Sequence, residues 1–562
     1  MASKVGKIAP LPNAFGETED HYWTSEHGAT PAKPLVELEM VGLSRALRSK
    51  PSWWTKFRDP GILAKWRAEA LEQTNLMNQS HIDYVLAELD GYAKLRDEET
   101  GAEVACYDRI WQSDRLISPA LKEKLKSSAS TLENVPDSEK DWHPNSNEMV
   151  LDLVHPSLYP VVYGRTLAYP EDTTDRDPSK LEVIPPPKLN PETSRWNSDA
   201  NYHTSQKFQW LPTDFVVSED GKSVKSVSYI NNLHPDRQGD LHEAVEGLIG
   251  SFLPLFERVL TDSIPANKAV PERTNNSYEY DEDYMPAPDY RDYENNEDEY
   301  DQLYEEWSEG RPIRLPEVDS EGYVPGSLER RDLWYSLAGK TIQVIVKLAN
   351  IHLTPEKPEY AGGSWHVEGM SNESIAVSGI YYYDEENITE SQLAFRTAAS
   401  VPGTYEQNDE NGCMLTWGIT RDDPCVNELG AVVTSQDRAI AFPNIYQHRV
   451  SPFKLQDKTK PGHRKIVALF LVDPAIHIPS TTRVPPQQHE WRTDAIFSNA
   501  NLKTSLAKLA PEVINHINAL AVGTMSRDEA NAYRLELMDE RKIFVTKNDE
   551  KFFEVAFSLC EH

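Results

Sequence analysis

Hydrophobic residues in the first part of the chain repeat at helical spacing. Residues from Pro34 to about Asp97 show this pattern, and in the segment HIDYVLAELDGYAKL four apolar residues fall at positions i, i+3, i+4 and i+7: Ile82, Val85, Leu86 and Leu89. Two further segments, SPALKEKLKSSASTLENV and LHEAVEGLIGSFLPLFERVL, predict amphipathic helices in the same way. The run from Glu148 to Tyr169 has β-branched and aromatic residues broken by prolines, so it predicts extended edge structure, and SVKSVSYINNLHP predicts a strand.

The pattern changes after Arg331. Five segments rich in Val, Ile, Phe and Tyr are separated by turn-forming residues: KTIQVIVKLANIHLT, SIAVSGIYYYD, QLAFRT, AIAFPNIYQHRVSPF and RKIVALFLVDP. Successive short strands without helices between them indicate an antiparallel sandwich or barrel. After Pro485, two helix patterns follow, around Leu502–Val522 and around Ser526–Arg541.

Together these patterns predict an α+β chain with four regions. They are a helical and mixed region at 1–215, a strand and helix with an acidic insertion at 216–330, a β-core at 331–490 and helices at 491–562. We expect the N-terminal half to surround the β-core.

Composition excludes several classes of protein. The chain has 562 residues and a formal net charge of −33, and its pI is about 4.9. Such a charge repels phosphate backbones and anionic lipids, so we expect neither nucleic acid nor membrane as a main partner. No apolar run approaches the roughly 20 residues that cross a bilayer. Four cysteines without a C-x-x-C pair predict free thiols and a cytoplasmic location: Cys106, Cys413, Cys425 and Cys560.

Much of the negative charge lies in one segment, between Tyr278 and Gly310. It contains 14 acidic residues, seven tyrosines and a single basic residue, Arg291. A charge run of this kind predicts a solvated or partly disordered insertion. Because seven tyrosines exceed what a spacer needs, the alternative is a docking or lid segment.

The segment GGSWHVEGM, residues 362–370, carries the main chemical motif. On an extended chain, residues i and i+2 point to the same side, so His366 and Glu368 can face one ion. His448, on the predicted strand AIAFPNIYQHRVSPF, offers a third ligand. Two histidines and one carboxylate form the facial triad that suits Fe(II) and O₂ chemistry. The alternative is a hydrogen-bonded core cluster. Two other H-x-D triplets, His81–Asp83 in a helical pattern and His234–Asp236 in a loop, are weaker candidates.

Arg464 lies on the next predicted strand, 16 residues beyond His448. A buried guanidinium there pairs bidentately with a carboxylate such as the distal end of 2-oxoglutarate. The alternative is a salt bridge in the core. No catalytic side chain beyond the metal ligands is predicted.

The substrate pocket is predicted from neighbouring side chains. In TIQVIVKLAN, Gln343, Ile345 and Lys347 share one face and Val344, Val346 and Leu348 the other; we favour the face of Gln343 and Ile345. Trp365 is expected as a wall beside the ligand. In the run Tyr381–Tyr383, mostly barrel packing, Tyr382 points away from its neighbours and is the pocket candidate.

The order H-x-E, strand-borne His and then Arg resembles the Fe(II)/2-oxoglutarate-dependent oxygenases with a double-stranded β-helix (jelly-roll) core. The segments WHVEGM, IYYYDEENITESQLAFR and HRKIVALFLVDP are similar to a large fungal family long known only as a domain of unknown function, from about Pro34 to His489. The superfamily usually has Asp where this chain has Glu368. The resemblance implies Fe(II) on His366, Glu368 and His448, with 2-oxoglutarate held by Arg464.

The same resemblance extends to a type of fungal biosynthetic oxygenase that closes an aziridine ring on valine. It implies a small free aliphatic amino acid as substrate, with L-valine first, and either ring closure or hydroxylation in secondary metabolism. Alternatives are a peptide or another metabolite as the substrate, a cupin-like metalloenzyme that needs no 2-oxoglutarate, or a non-catalytic scaffold.

Overall fold

A computed structural model provides the coordinates of the protein. It describes residues 11–15, 30–171, 176–189, 201–492 except 282, 295 and 403, then 509–510, 512–513, 516 and 523–559. Statements about structure refer to these residues. The helix predicted around Leu502–Val522 lies almost wholly outside them, as does Cys560.

The helices form where the sequence combines an apolar stripe with a capping residue. Asn78 caps α4 and Ser118 caps α5 through side-chain oxygens that accept backbone N–H groups, and Pro119 opens α5. The helices are α1 (Leu35–Arg48), α2 (Trp53–Lys56), α3 (Pro60–Gln73), α4 (Gln79–Leu95), α5 (Pro119–Glu133), α6 (Gly239–Asp262), α7 (Glu297–Gly310), α8 (Glu410–Trp417) and α9 (Arg527–Asn548), which continues into a π-helical turn at Asp549–Phe553.

The strands are concentrated in the second half of the chain. The long ones are rich in β-branched and aromatic residues, which suit a pleated, half-buried surface. They are β1 (Thr30–Pro31), β2 (Glu103–Val104), β3 (Trp111–Ser113), β4 (Val150–Val154), β5 (Val161–Val162), β6 (Leu167–Ala168), β7 (Glu182–Val183), β8 (Phe208–Gln209), β9 (Thr213–Val217), β10 (Val224–Ser226), β11 (Glu279–Tyr280), β12 (Ile313–Arg314), β13 (Thr341–Leu353), β14 (Glu359–Tyr360), β15 (Ile375–Glu386), β16 (Gln392–Ser400), β17 (Val426–Val433), β18 (Ala439–Pro443), β19 (Gln447–Val450), β20 (Phe453–Lys454) and β21 (Gly462–Val472).

A large antiparallel sheet forms the centre of the molecule. Its strand order is β10-β9-β13-β21-β15-β18-β3-β2, and β4 also pairs with β13. The register aligns Lys347 with Ala468 and Ala468 with Ile380 across the three central strands. The central strands of this sheet thus come from the second half of the chain, and strands from the first half extend it at its edges.

The two faces of the large sheet bury different partners. Val344, Val346 and Leu348 join a core with α6, whose buried face follows the predicted amphipathic pattern. Gly379 sits against this helix so closely that an added Cβ would lie 2.9 Å from Phe252 and from Phe256. The opposite, inner face carries a second core with the following members: Ile345, Ile380, Tyr382, Ala468 and Phe470.

A smaller sheet faces the inner side of the large one. Strand β16 pairs with β17 and β19 in antiparallel fashion and with β1 in parallel. The segment at His366 adds to its edge through an antiparallel bridge to His448. Phe395 of β16 packs against Phe442 of β18 with ring centroids 4.9 Å apart, so the two sheets share a core. The fold is therefore mixed α/β, with large antiparallel sheets and helices.

Most predicted elements are present. The helical segment after Pro34 forms α1 to α4, and the stripe from Ile82 to Leu89 is buried in α4. The helix predicted at Ser526–Arg541 extends to Asn548 as α9. Strand β17 and helix α8 were not predicted. Among the described residues, no helix is both long enough and apolar enough to cross a membrane.

The described part of the acidic segment is ordered around two tyrosines. Strand β11 pairs with β12, and α7 contains no buried residue. The hydroxyl groups of Tyr278 and Tyr280 donate to the Asp409 carboxylate over 2.5 and 2.6 Å. This end of the segment is fixed to the fold, whereas α7 is the solvated surface that the charge pattern predicts.

Candidate metal centre

His366 and Glu368 lie on extended backbone at the edge of the small sheet. The backbone N–H of His366 donates to the carbonyl of His448 over 3.3 Å, and that of His448 donates back over 3.0 Å. This pairing places the two histidines side by side. Val367, between the two predicted ligands, instead joins a core with Phe544 and Phe553 on the other side. The i, i+2 alternation therefore brings both predicted ligands to one side.

The three predicted ligands meet at one point. Glu368 Oε1 lies 3.7 Å from His366 Nε2 and 3.4 Å from His448 Nε2. One ligand atom from each residue lies within 4.8 Å of the other two. The side chain of His448 is 4% exposed and that of Glu368 12%, whereas His366 is 34% exposed, so the centre opens toward solvent along His366.

The protonation of the centre suits metal binding. His366 Nδ1 lies 2.9 Å from the Ser364 carbonyl, so Nδ1 carries a proton and Nε2 is the ring atom that faces Glu368. Burial acts to lower the pKa of His366, but the hydrogen bond and charge of Glu368 raise it above its ordinary value, so an incoming metal ion would displace a proton from Nε2. Burial lowers the pKa of His448 to about 4, with a further contribution from His366. Burial acts to raise the pKa of Glu368, but hydrogen bonds and charge from the two histidines hold it well below its ordinary value. At neutral pH the centre thus offers a carboxylate and a neutral imidazole on His448.

Two contacts that sequence reasoning missed hold the segment of His366 and Glu368 in place. The Asn444 side chain accepts the Glu368 backbone N–H and donates to its carbonyl, both over 2.9 Å. The buried Glu373 carboxylate accepts the Met370 N–H over 2.7 Å and is paired with Arg541 of α9. An Asn that follows a strand gives no sequence signal for this role, because its partner lies 76 residues away.

Comparison with known protein families identifies the family of this chain. The chain matches the family described as "Protein of unknown function (DUF4246)" over residues 79–495 and "Domain of unknown function DUF4246, N-terminal" over residues 5–69. The chain belongs to the DUF4246 family. The three candidate ligands lie within the longer match, whereas α9 lies beyond it. No curated protein matches the chain.

Solved structures with some likeness are distant. One is described as an Fe(II)/α-ketoglutarate-dependent dioxygenase, TqaL, with 9% identity, a TM-score of 0.23, and coverage of 75% of this chain and 90% of that one. AviO1 from Streptomyces viridochromogenes has 10% identity, a TM-score of 0.19, and coverage of 66% and 93%. IDO from Bacillus thuringiensis has 11% identity and a TM-score of 0.16, and the match spans 24% of this chain and only 47% of that one. TM-scores below 0.5 do not establish a shared fold.

Arg464 of this DUF4246 chain lies on β21 and is 1% exposed. Its Nε and Nη2 donate to Glu385 Oε2 over 3.1 and 2.9 Å, and Nη2 also donates to the Thr434 carbonyl over 3.1 Å. Its Nη1 is buried without a hydrogen-bond partner among the described residues. The charge of Arg464 is therefore already balanced by a carboxylate, as the salt-bridge alternative anticipated.

Lys347 lies on the inner face of β13, level with Ala468 and Ile380. Within the described part of the chain, its ammonium has no hydrogen bond or ion pair. Its charge contributes to lowering the pKa of His448, after burial and His366, so it lies within electrostatic reach of the metal ligands. Lys347 is thus an unpaired cation beside the centre.

The other predicted pocket residues have different surroundings. Ile345 and Tyr382 belong to the inner core, whereas Gln343 is buried and exchanges hydrogen bonds with Asp214 and the backbone of Ile478. Gln343 thus supports the edge of the sheet.

Trp365 lies under the guanidinium groups of Arg396 and Arg449, at 4.9 and 4.5 Å from the ring centroid. These arginines alternate along their strands with Phe395 and His448, so they occupy the outer face of the small sheet. Trp365 therefore faces away from the metal ligands.

A second cluster of the same residue types lies at the edge of the large sheet. His143 Nδ1 is 2.7 Å from Asp152 Oδ2, and the rings of His143 and His155 are 5.2 Å apart. The same Asp152 oxygen accepts the guanidinium of Arg534, which is 2% exposed. Sequence reasoning missed this cluster because it has no H-x-D or H-x-E spacing.

The two weaker triplets do not form metal sites. His81 is part of the capping box of α4, where its Nδ1 accepts the Asn78 N–H over 3.1 Å. His234 accepts backbone N–H groups of the turn that follows it and packs on Trp491 at 5.0 Å. Within the described residues, only the clusters at Glu368 and at Asp152 group three candidate ligands.

Proposed function

We propose that this chain is a mononuclear non-haem iron dioxygenase that uses 2-oxoglutarate and O₂. The observation that carries the proposal is the convergence of two imidazoles and one carboxylate on one point between the sheets. Among the described residues, Glu368 has no lysine or arginine partner that would compete with an ion. Two histidines and one carboxylate leave positions open on Fe(II), as oxygenases of this type require.

The strand pairing supports a double-stranded β-helix as the catalytic core, within residues 331–490. Strands β13, β21, β15 and β18 would supply one half, in that order. The segment at His366, then β19, β16 and β17, would supply the other half. In this assignment, His366 and Glu368 lie on one extended segment, and His448 lies on the neighbouring strand of the same sheet.

The residues present fit an iron ion. His366 Nε2 faces Glu368, because Nδ1–H donates to the Ser364 carbonyl, so Nε2 is the atom that would bind the ion after losing its proton. Asn444 fixes the backbone at Glu368 from both sides, so the carboxylate is held before the ion arrives. Iron would supply the activation of O₂ for oxidation of a C–H bond, with 2-oxoglutarate as the second reductant.

Charge balance favours a cosubstrate with two negative charges. A divalent ion on one carboxylate and two neutral imidazoles keeps one positive charge. Lys347 adds a second positive charge that no carboxylate in the described structure neutralises. Because an uncompensated charge in a partly buried site costs free energy, a dicarboxylate such as 2-oxoglutarate matches both charges.

Two cations are candidate anchors for the distal carboxylate. Arg464 follows from the family resemblance, and its unpartnered Nη1 supports it. Lys347 has no partner that neutralises it among the described residues, and its charge contributes to lowering the pKa of His448. We therefore propose Lys347 as the main anchor and Arg464 as an additional contact.

We propose a small free aliphatic amino acid as the substrate, with L-valine tested first. Ring closure to an aziridine and hydroxylation are the two candidate reactions. The inner face is apolar at Ile345, Ile380 and Phe470, which suits an aliphatic side chain. One oxygen of Asp152 has no hydrogen-bond partner among the described residues, and an ammonium group requires such an acceptor.

The test combines metal content with product analysis. Protein loaded with Fe(II) is incubated with 2-oxoglutarate, O₂ and each aliphatic amino acid, and succinate and mass changes are measured. A loss of two hydrogens indicates ring closure or desaturation, and a gain of one oxygen indicates hydroxylation. Succinate formed with a peptide but with no amino acid would refute the substrate, whereas absence of bound iron would refute the whole proposal.

A further inference from the structure

A row of aromatic rings lies along one side of the acidic segment. Tyr300, Tyr304 and Trp307 of α7 stand at positions i, i+4 and i+7, which places them on one face of the helix. The ring centroids of Tyr300 and Tyr304 are 5.8 Å apart, and those of Tyr304 and Trp307 5.4 Å. Tyr290 adds a fourth ring, 5.1 Å from that of Tyr300. These four side chains are called the ring row below.

The ring row is separate from the hydrophobic cores of the fold. Helix α7 contains no buried residue, and Tyr290 and Tyr304 are 47% and 43% exposed. Contacts between the rings order this segment, but they leave aromatic surface in water. Such a patch with a polar rim is typical of an interaction site.

Carboxylates lie on both sides of the ring row. At helical spacing, Glu297 and Asp301 fall on one side of the stripe, and Glu299 and Glu306 on the other. The single basic residue of the segment, Arg291, is paired with a neighbouring aspartate. The face of an aromatic ring is itself electron-rich, so a cation is the ligand that complements both the rings and the carboxylates.

An arginine of the chain already occupies one end of the row. The guanidinium carbon of Arg311 lies 4.5 Å from the Trp307 ring centroid and 3.5 Å from that of Tyr280. Its Nη2 donates to the Glu406 carboxylate over 3.0 Å. In the described structure, no lysine or arginine lies over the three tyrosines further along the row. The same chemistry, rings beside carboxylates, is therefore open to a partner there.

We propose that the ring row is a docking site for an arginine-rich peptide segment of a partner protein. Arginine suits it better than lysine, because the planar guanidinium stacks on a ring while its N–H groups donate to a carboxylate. In an extended peptide, side chains on one face repeat every 7 Å or so, roughly the spacing of successive rings. Arginines at alternate positions can thus reach successive tyrosines. This site lies outside the β-core at 331–490 and does not depend on the proposed oxygenase activity.

The test measures binding of a fluorescent peptide, in which arginine alternates with serine, to the full chain. Fluorescence anisotropy is recorded at physiological ionic strength, which screens unspecific attraction to a chain with a net charge of −33. Combining Tyr300→Leu with Tyr304→Leu should weaken binding about tenfold, because it removes two ring faces but keeps charge, apolar area and helix propensity. Combining Tyr300→Phe with Tyr304→Phe keeps the faces and should bind within about twofold of wild type.

Two controls isolate the ring row. Trp334→Leu removes another exposed aromatic ring, 47% exposed, and should leave the affinity unchanged. A peptide with lysine in place of arginine should bind more weakly to the wild-type chain, because an ammonium group does not stack.

Three results would overturn the proposal. One is absence of binding of the arginine peptide by the wild-type chain. Another is an affinity of the double leucine variant within twofold of wild type, since charge alone would then explain the binding. The third is an equal loss in the leucine and phenylalanine variants, which would assign the binding to the tyrosine hydroxyl groups. Circular dichroism of each variant excludes unfolding as the cause of a loss.

Discussion

Two clusters in this molecule contain the same residue types, two histidines and a carboxylate, but the two carboxylates have different partners. At Glu368, the carboxylate faces two imidazole nitrogens and has no lysine or arginine partner among the described residues. At Asp152, the carboxylate accepts the Arg534 guanidinium and the His143 ring on one oxygen. Neighbouring cations, more than the types of ligand, therefore decide whether such a cluster is available to a metal.

The largest expected difference is in metal binding. Glu368→Ala should abolish Fe(II) binding, because two histidines alone leave the ion exchangeable, whereas Asp152→Ala should leave one ion per chain. Metal content after dialysis, measured by mass spectrometry, provides the check. Equal loss of iron in both variants would contradict the distinction between the clusters.

The second expected difference is in stability. Asp152→Asn should lower the free energy of unfolding by about 1.5–3 kcal/mol, because it removes one of the two carboxylates that pair with the buried Arg534 and leaves only Asp141. Glu368→Gln in the metal-free chain should lower it by less, because only the two histidines, and no lysine or arginine among the described residues, lose a partner. Urea denaturation measures both. Asp137→Asn is the control, as the Asp137 side chain is 94% exposed. Equal losses at Asp152 and Glu368 would contradict the prediction.

Variants of the two candidate anchors, Arg464 and Lys347, should likewise differ in their effect on stability. Arg464→Met should reduce stability by about 2–3 kcal/mol, because Glu385 loses its buried partner. Lys347→Met should leave the metal-free chain as stable or more stable, since it removes an unpaired charge, yet raise the KM for 2-oxoglutarate. Thermal melts and steady-state kinetics on the same preparations test this. A large KM increase with Arg464→Met alone would make Arg464 the main anchor.

The smallest expected effect is at acid pH. Burial opposes ionisation of Asp152, but His155 and His143 hold its pKa at about 2. A carboxyl whose folded pKa is depressed stabilises the fold above its unfolded pKa and loses this contribution as pH falls toward the folded pKa. From pH 5 to pH 3, wild type should therefore lose more unfolding free energy than Asp152→Asn. Parallel slopes in denaturant titrations would contradict this.

How much of the structure the sequence predicts depends on how far apart in the chain the interacting residues lie. His366 and Glu368 share a face because of local extended geometry, so their spacing alone indicates the site. The grouping of Asp152 with His155 depends on a bulge against β13, and no local pattern encodes a register shift. The Glu385 partner of Arg464 likewise follows from strand pairing 79 residues apart.

Missed elements have similar causes. Strand β17 contains Gly430 at positive φ, which interrupts the β pattern, and its pairing with β16 shifts register nearby. Trp365 was expected as a wall because it adjoins a ligand, but the alternation that aligns His366 with Glu368 sends it to the outer face.

Helix α9 has a consequence for how the protein is made. Arg541 pairs with Glu373 behind the segment of the candidate ligands His366 and Glu368, and Phe544, Phe552 and Phe553 pack with Val367 and Met370. A ribosome synthesises the segment at His366 between 175 and 187 residues before these supporting side chains. A nascent chain therefore displays its histidines before the structure that fixes them exists. If the proposed function is right, iron is expected to bind only after α9 has been synthesised and has packed behind this segment.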